Sequence, residues 1–343
     1  MTKIYDIAIL GASGYTGAEL VRLISTHPQM NIRSMSADRK AGQNMSEVFP
    51  HLRHLDLPEL QKIDAIDLEN VDMVFAALPH GVSHGLAKNL PKTTKLVDLS
   101  ADFRLTDPEV YKHWYGLEHT AMDIQPNVPF GLPEFYRDEI AGAQIVANTG
   151  CYVATSLLAL LPVVQAGLIV PEDIVIDAKS GVSGAGRGAK ENLLFTEVDG
   201  GFQAYGVGHH RHMAELDQEL SKAAGKSVTP SFTPHLLPQS RGIEATIYVK
   251  GDASLLHTEL SKRYASERFV EVLPFGEIPA TQHVRGSNMC HIGVKADRLP
   301  GWSILLSVTD NLVKGASGMA VQNANLMLGL PEEMGLEMAP LFP

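Results

Sequence analysis

The chain has 343 residues, of which 45% are hydrophobic and 20% are charged, and its formal net charge at pH 7 is -11. That length exceeds what one hydrophobic core usually supports, so we expect two compact globular domains. The acidic balance argues against general binding to nucleic acid or to anionic membranes, because both require a basic surface.

The first part of the chain alternates short β-prone runs with helical or looped segments. Strands are predicted at 3–10, 30–37, 71–79, 95–101 and 143–150, and a helix is predicted at 18–26. This alternation is typical of the α/β class, and we predict a Rossmann-type doubly wound domain for dinucleotide binding at residues 1–150. The segment 102–142, rich in Pro, Gly and aromatic residues, is predicted to be a long functional loop.

Beyond residue 150 the pattern changes. Strands are grouped with fewer helices between them, which predicts a second, α+β domain at residues 151–311. An amphipathic helix at 314–330 is expected, and the segment 312–330 is expected to dock back onto the first domain. The other elements predicted in this part are helices at 152–167, 213–224 and 254–265, and strands at 173–187 (opening into a glycine-rich loop), 244–251, 289–297 and 302–312.

A glycine-rich turn joins the first strand to the first helix. Glycines at this place allow a tight turn, and the free amides of the helix N-terminus can bind a pyrophosphate. The spacing is GxxGxxG rather than GxGxxG, so an ordinary tight turn remains the alternative. The turn and its candidate cofactor-binding residues are Gly11, Ser13, Gly14, Tyr15, Thr16 and Gly17.

The residues after the second strand bear on the choice between NAD and NADP. An acidic residue here suits the ribose hydroxyls of NAD, whereas cationic or hydroxyl side chains suit the 2′-phosphate of NADP. Ser36, Arg39 and Lys40 favour NADP, while Asp38 leaves NAD open. The alternative reading of this cluster is a solvated loop.

The chain has two cysteines, Cys151 and Cys290, too few for a disulfide framework. With no signal-peptide pattern and no apolar run near the roughly 20 residues that cross a bilayer, we expect a reduced cytoplasmic protein. Cys151 opens a predicted helix, whose N-terminus would stabilise a thiolate. A buried apolar role remains the alternative for Cys151, and it is the reading that we adopt for Cys290.

Three histidines cluster in the segment His209-His210-Arg211-His212, before a predicted helix. One of these imidazoles could serve as acid and base near neutral pH. Metal binding is the rival, but no second cluster at metal-ligand spacing accompanies the segment and Arg211 would repel a cation. No metal is therefore predicted. Capping or a surface position remains an equal alternative to catalysis.

The glycine turn, the cysteine and the histidine segment belong to a series of short motifs along the chain. In chain order the motifs are GASGYTGAEL, ALPHG, VDLSADFRL, YGL with GLPE, NTGCY, SGVSGAGR, HHRH, PHLLP with RG, and DNLVKGASG. Over nearly the whole chain they resemble the N-acetyl-gamma-glutamyl-phosphate reductases, which belong to the aspartate-semialdehyde dehydrogenase-like superfamily.

The resemblance implies an NADP-dependent reductase of arginine biosynthesis, a homodimer or homotetramer whose second domain carries catalysis and dimerisation. It implies that Cys151 forms a thioester with the substrate and that His210 is the acid and base, with His212 less favoured. Thr149 stands where the family commonly has proline, which frees an amide and relaxes the turn. By family analogy Ser100 and Arg104 bind phosphate, with a structural salt bridge as the alternative, and the further substrate-binding candidates are Asn148, Arg187, Arg211 and His212. Because glycine permits close backbone contact, the candidates for the nicotinamide and its phosphates are Ser180, Gly181, Gly184 and Asn311, with an ordinary loop at 180–186 as the alternative.

Two alternatives stay open. A related reductase could act on aspartyl phosphate or on a carrier-linked aminoadipyl or glutamyl phosphate by the same chemistry. A dinucleotide-binding sensor without catalysis is opposed by the presence of both Cys151 and the HRH segment.

Overall fold

A computed structural model describes residues 3–342. Contacts within the chain divide these residues into two compact units. Unit 1 contains the described residues up to Thr149 together with Ala316–Glu337. Unit 2 contains Gly150–Gly315 together with the described residues from Met338 onward. No helix in the described part of the chain combines the length and apolarity needed to span a membrane.

The core of unit 1 is a seven-stranded sheet in which every strand pair is parallel. Its strands are β1 (Tyr5–Leu10), β2 (Met30–Ser36), β3 (Leu60–Gln61), β4 (Met73–Ala76), β5 (Lys95–Asp98), β6 (Phe130–Gly131) and β7 (Ile145–Asn148). Their order is β3-β2-β1-β4-β5-β7-β6. The order reverses between β1 and β4, which is the place where doubly wound sheets bind ligands. The predicted Rossmann-type α/β fold is confirmed.

The described part of unit 1 has five α-helices before residue 149, which are α1 (Tyr15–Ile24), α2 (Met45–Val48), α3 (Ser83–Lys88), α4 (Pro108–Tyr115) and α5 (Pro133–Gly142). The prediction of one long loop at 102–142 was wrong, because α4, β6 and α5 all lie there. Asp107 caps α4 by accepting the Glu109 amide at 2.8 Å, and Gly116 ends it in the left-handed conformation.

Unit 2 contains a second seven-stranded sheet. Its strands are β8 (Val175–Gly181), β9 (Gln203–Ala204), β10 (Ser231–Leu237), β11 (Ile243–Lys250), β12 (Val270–Val272), β13 (Cys290–Ala296) and β14 (Trp302–Thr309). They are ordered β12-β13-β14-β11-β8-β10-β9, and only β8 with β10 and β12 with β13 pair in parallel. The sequence reading missed β10, in which Pro234 argues against a central strand. This mixed sheet confirms the α+β prediction.

In the described residues four α-helices accompany this sheet, α6 (Cys151–Gln165), α7 (Phe195–Val198), α8 (His212–Ala224) and α9 (Ala253–Tyr264). Helix α6 packs against β11 and β14 of the sheet and against α8 and α9. Nearly all of its side chains are therefore buried, and its first residue, Cys151, is only partly exposed. Packing on several sides holds the N-terminus of α6 in a fixed position.

The last helix, α10 (Gly318–Met327), follows a π-helical turn at Val313–Ser317 and belongs to unit 1. The prediction that it is amphipathic was wrong, because nearly every residue of α10 is buried. Its polar side chains find partners inside the unit. Gln322 donates to Glu134 at 3.1 Å, and Asn325 donates to the Met334 carbonyl at 2.9 Å.

Candidate active site

The glycine turn of unit 1 is held by the end of β2. The amides of Gly11 and Ala12 donate to the Ser36 carbonyl at 3.1 and 2.8 Å, and the Ser36 hydroxyl accepts from Gly11 at 3.3 Å. Gly11 has a φ of +84°, and a Cβ there would collide with the Ala77 carbonyl. Glycine is therefore required at this position. Ser36 is buried and braces the turn.

The remaining residues of the turn lead into α1. Gly14 is the N-cap of α1, and within the described residues no side chain caps that helix end. Tyr15 is exposed, Ser13 and Thr16 are partly exposed, and Gly17 is buried. Such a helix N-terminus favours an anion through its amides and dipole.

A group of charged side chains follows β2. The carboxylate of Asp38 pairs with Lys62 at 3.1 Å, and Lys62 also donates to the Asp38 carbonyl at 2.9 Å. Arg39 and Lys40 are exposed beside it. The acid that could accept the ribose hydroxyls of NAD thus already has a cationic partner. Lys62 adds a third cation to the pair expected from the sequence.

The candidate phosphate residues of unit 1 lie inside the domain. The hydroxyl of Ser100 donates to Asp98 at 2.8 Å, and Nη2 of Arg104 donates to the Leu99 carbonyl at 3.0 Å. Burial raises the pKa of Asp98 to about 6, although the hydrogen bonds from Ser83 and Ser100 act to lower this pKa. Both candidates therefore form part of a buried polar network.

Asn148 is also engaged within unit 1. Its Nδ2 donates to the Ala316 carbonyl at 3.2 Å, and its Oδ1 accepts from Asn323 at 3.0 Å. These bonds join the end of β7 to α10 and to the residues just before it. In the structure Asn148 connects two elements of its own unit, and its predicted contact with substrate stays a prediction.

Cys151 begins α6, directly after the N-cap residue Gly150. The amide of Gly150 donates to the buried carboxylate of Glu215 on α8 at 3.1 Å. A Cβ on Gly315 would come within 2.8 Å of Cβ of Cys151. The backbone around the cysteine is thus held on two sides, and its thiol lies where the helix dipole stabilises a thiolate.

Two imidazoles lie next to this cysteine loop. A Cβ on Gly150 would come within 2.5 Å of Nε2 of His212, so the His212 ring packs directly on the residue before the cysteine. The rings of His210 and His212 are 4.8 Å apart. Tyr152 and Tyr205 contact the His210 ring edge-on at 5.7 and 5.3 Å. The structure therefore brings together Cys151 and both candidate histidines.

His210 is held as a neutral imidazole. The pKa of His210 is lowered to about 3. Burial is the largest cause, and the charge of the neighbouring His212 is the second. The backbone amide of His212 donates to Nδ1 of His210 at 3.2 Å, which leaves the proton of the neutral ring on Nε2. The sequence reading expected titration near neutral pH, and the difference arises because the aromatic surroundings desolvate this ring.

The glycine-rich loop after β8 is tied to the end of β14. Asn311 donates to the Ser183 hydroxyl at 2.9 Å and accepts the Gly242 amide at 2.8 Å. A Cβ on Gly184 would lie 3.1 Å from the Ser180 hydroxyl. The structure thus collects Ser180, Gly181, Gly184 and Asn311 into one cluster, whereas Arg187 and Arg211 are exposed.

Sequence reasoning missed three groups in unit 2. Glu215 lies three residues after His212, a helical spacing that could have indicated it. Tyr205 donates to the Tyr152 hydroxyl at 3.2 Å, and burial raises the pKa of both phenols. Arg241 and Asp310 stand in the motifs RG and DNLVKGASG, but nothing in the sequence indicated that they pair. Cys290 is fully buried and contacts Ser307, as expected for a cysteine with a structural role.

Family models match both parts of the chain. Residues 6–143 match the semialdehyde dehydrogenase NAD binding domain, and residues 151–311 match the semialdehyde dehydrogenase dimerisation domain. Solved structures agree on the fold. Aspartate semialdehyde dehydrogenase II from Vibrio cholerae superimposes with a TM-score of 0.72 at 19% identity, over 95% of this chain and 99% of that one. Fold and matched domains thus define a semialdehyde dehydrogenase-like oxidoreductase that binds NAD or NADP.

Relatives with much higher identity narrow the family. A reductase from Cereibacter sphaeroides is 59% identical over 99% of this chain and 100% of its own length. Proteins from Ruegeria pomeroyi and Paracoccus denitrificans are 59% and 57% identical, each over at least 98% of both chains. All three are named N-acetyl-gamma-glutamyl-phosphate reductase, and the chain belongs to that family.

Proposed function

We propose that the protein reduces N-acetyl-L-glutamyl 5-phosphate to N-acetyl-L-glutamate 5-semialdehyde and phosphate in arginine biosynthesis. The family name supports the substrate. The observation that carries the chemistry is a cysteine at the start of α6, with its loop held by Glu215 and with two imidazoles beside it. This arrangement suits a covalent route through a thioester on Cys151.

The first step is proposed to be displacement of phosphate. The thiolate of Cys151 attacks the acyl carbon, the bond from that carbon to the phosphate oxygen breaks, and a thioester forms. An acyl phosphate is already activated, so no further leaving-group chemistry is needed. The helix dipole at the start of α6 favours the thiolate over the thiol.

The second step requires a hydride at the thioester carbon, which a reduced nicotinamide cofactor would supply when bound. The oxygen of this carbon becomes an oxyanion, and we propose that the amide of Cys151 and the Nε2 proton of His210 stabilise it. A neutral imidazole can fill this role because its pKa is held low. Collapse of the intermediate breaks the carbon–sulfur bond, releases the semialdehyde and regenerates the thiolate.

NADP is the proposed cofactor. The glycine turn with its helix N-terminus fits a pyrophosphate, and the cations Arg39, Lys40 and Lys62 fit a 2′-phosphate better than a ribose hydroxyl. The solved Candida albicans aspartate semialdehyde dehydrogenase contains NADP, at 16% identity and a TM-score of 0.67 over 95% of this chain and 99% of that one. The cluster of Ser180, Gly181, Gly184 and Asn311 is proposed to serve the nicotinamide and its phosphates.

Further roles rest on the family resemblance. Ser100 and Arg104 are proposed to bind phosphate after exchanging their buried partners, and Asn148, Arg187 and Arg211 are proposed to contact the rest of the substrate. The match to a dimerisation domain supports an oligomer, which we propose to be a homodimer or homotetramer in the cytoplasm. The proposed division places cofactor binding in residues 1–150 with the helix near 312–330, and catalysis in residues 151–311.

The reverse reaction tests the proposed function. Purified protein is given N-acetylglutamate semialdehyde, phosphate and NADP, and the absorbance of NADPH is followed. We expect turnover that requires phosphate and is lost in Cys151→Ala. Aspartate semialdehyde serves as the competing substrate, and a higher kcat/KM for it would overturn the N-acetylglutamyl assignment. Absence of turnover with both substrates would favour a non-catalytic sensor.

A further inference from the structure

The imidazole of His210 is enclosed by four aromatic rings, which together form an aromatic cage. The rings belong to Tyr152, Tyr205, Phe232 and His212, and their centroids lie 5.7, 5.3, 5.6 and 4.8 Å from that of His210. The interplanar angles lie between 61° and 90°, so every contact is edge-on. His210 is therefore shielded from several directions at once.

Three of these rings are on elements that are packed on several sides. Tyr152 is on α6, His212 begins α8, and Phe232 is on β10, which pairs with a strand on each side. Tyr205 differs, because it directly follows β9, a two-residue strand at the edge of the sheet. A short, exposed edge with few backbone hydrogen bonds opens more easily than the centre of a sheet. The Tyr205 side of the aromatic cage is thus the one that needs a further contact.

The hydroxyl of Tyr205 provides this contact. It donates to the hydroxyl of Tyr152 at 3.2 Å, and the Tyr152 hydroxyl donates to the His235 carbonyl at 3.0 Å. Burial raises the pKa of both phenols, and the charge of a Cys151 thiolate adds to the increase. Both hydroxyls are therefore protonated near neutral pH and can donate. The bond ties the edge of the sheet to the buried helix α6.

The residue after Tyr205 allows the backbone to approach the imidazole closely. A Cβ on Gly206 would lie 3.2 Å from both Cβ and Cδ2 of His210. Gly206 also has a φ of +57°, in the region that favours glycine. The segment after β9 therefore covers His210 with its backbone as well as with the Tyr205 ring.

We propose that Tyr205 is a positioning residue that acts through His210. Its ring closes the aromatic cage, and its hydroxyl bond to Tyr152 holds that ring in place, so that water is excluded and His210 stays neutral with a fixed orientation. The inference deepens the proposed function and rests on it for the role of His210 in the reaction. The state of the His210 ring can nevertheless be measured without any substrate.

Charged neighbours of His210 act in opposite directions. The cationic forms of His212, Arg211 and His209 lower the pKa of His210, and the carboxylate of Glu215 raises it. Burial lowers it more than any of these charges does. We therefore expect that opening the aromatic cage changes the pKa of His210 more than altering any one neighbouring charge.

The competing explanation is that Tyr205 only packs the edge strand. Its replacement would then lower the melting temperature and leave the titration of His210 unchanged. Phe202, the residue directly before β9, provides a matched control. Its side chain is 66% exposed, and among the described residues its ring contact is with His235, at 5.9 Å. Phe202→Ala thus removes an aromatic ring beside the same strand without opening the aromatic cage.

The test follows the imidazole NMR signals of His210 from pH 8 to pH 4.5 in the full-length protein without substrate, and their loss in His210→Asn identifies them. In wild type and in Phe202→Ala we expect no midpoint in this range, because the pKa is about 3. Tyr205→Ala should raise the midpoint by about 1.5–2.5 pH units, because water then solvates the imidazolium. Tyr205→Phe keeps the ring but loses the hydroxyl bond, so its midpoint should rise by about 0.5–1 unit.

The pH profile of the reverse reaction gives a second reading. Protonation at Nδ1 removes the acceptor that the His212 amide uses, so the ring turns and its Nε2 proton is misplaced. Between pH 7 and pH 5, kcat of Tyr205→Ala should fall about 2- to 4-fold more than kcat of Phe202→Ala.

A His210 titration in Tyr205→Ala that matches that of Phe202→Ala overturns the proposal, even if the melting temperature falls. If Tyr205→Ala does not fold, Tyr205→Phe decides in the same way, because it removes a single oxygen atom. The outcome is separate from that of the proposed function. A shifted titration without turnover supports Tyr205 and defeats the proposed reaction, whereas turnover with an unshifted titration does the reverse.

Discussion

The carboxylate of Glu215 accepts the backbone amide of Gly150 at 3.1 Å, directly before Cys151. Glu215 is fully buried, so this charge is desolvated, and the bond to it is of the stronger, charge-assisted kind. The contact couples α8, which begins in the histidine segment, to the N-terminus of α6. The position of the nucleophile therefore depends on a residue that does not itself react.

Glu215→Ala should slow both turnover and alkylation of Cys151 by about 10- to 100-fold, because losing a hydrogen bond to a buried charge costs about 1.5–3 kcal/mol. Glu215→Gln keeps an acceptor oxygen and should be less damaging. The rate of iodoacetamide labelling of Cys151, read by mass spectrometry, measures the effect. Glu219→Gln, which alters a buried carboxylate one turn further along α8, is the control and should leave labelling unchanged.

Cys151→Ser should lower activity by several orders of magnitude while NADPH binding stays nearly intact. A serine hydroxyl is a far weaker nucleophile than a thiolate near neutral pH. Activity is measured by the reverse assay, and cofactor binding by the fluorescence of NADPH. The fully buried Cys290 offers the control, and Cys290→Ser should keep its activity. Near-normal turnover by the Cys151 variant would end the thioester proposal.

His210→Asn should lower kcat by roughly 10²–10⁴-fold with little change in cofactor binding, since the variant cannot supply the Nε2 proton to the oxyanion. His212→Asn should cost less, because His212 packs on Gly150 and orients the loop. Steady-state kinetics of both variants decide between them. A larger loss of kcat in His212→Asn would place the reacting imidazole at residue 212.

His210 should also make stability depend on pH. Its folded-state pKa, about 3, lies below the unfolded value near 6.5, so the unfolded chain binds the proton more tightly. The stability that neutral His210 provides is present above pH 6.5 and is lost as the pH falls toward 3. Between pH 7 and 5 we expect a loss of about 1–2 kcal/mol from this group.

Urea unfolding at the two pH values measures that loss. In His210→Asn the decrease in the free energy of unfolding between pH 7 and 5 should be smaller by the same amount. His209→Asn, which changes an exposed neighbour, is the control and should retain the wild-type decrease. If wild type and His210→Asn lose equal stability, His210 is not held neutral by burial.

Arg39→Ala and Lys62→Ala should each raise the KM for NADPH more than the KM for NADH, by about 3- to 30-fold, because a cation near the 2′-phosphate is removed. Lys62→Ala also releases Asp38 from its ion pair, so the KM for NADH should change least in this variant. Arg33→Ala, at an exposed position of β2, is the control. Equal weakening toward both cofactors would indicate a structural role.

Much of the architecture was readable from local pattern. The apolar run that ends at Gly11 predicted β1 and the turn after it. Apolar residues at helical spacing then predicted α1, because strands repeat every 2 residues and helices every 3.6. The segment at 102–142 and the strand β10 were misread. Proline and glycine in both places signal loops, although Asp107 with Pro108 begins a helix and Pro234 lies within a paired strand.

What the sequence determined by itself was the class of fold, the family, and the candidates Cys151 and His210, because motifs report residue types and their order. Only the tertiary structure decided which side chains, far apart in the sequence, come into contact. Glu215 lies 65 positions from Gly150, and Asp310 lies 69 positions from Arg241. Tertiary structure also decided the charge state of His210, because desolvation depends on neighbours that packing brings together from separate parts of the chain.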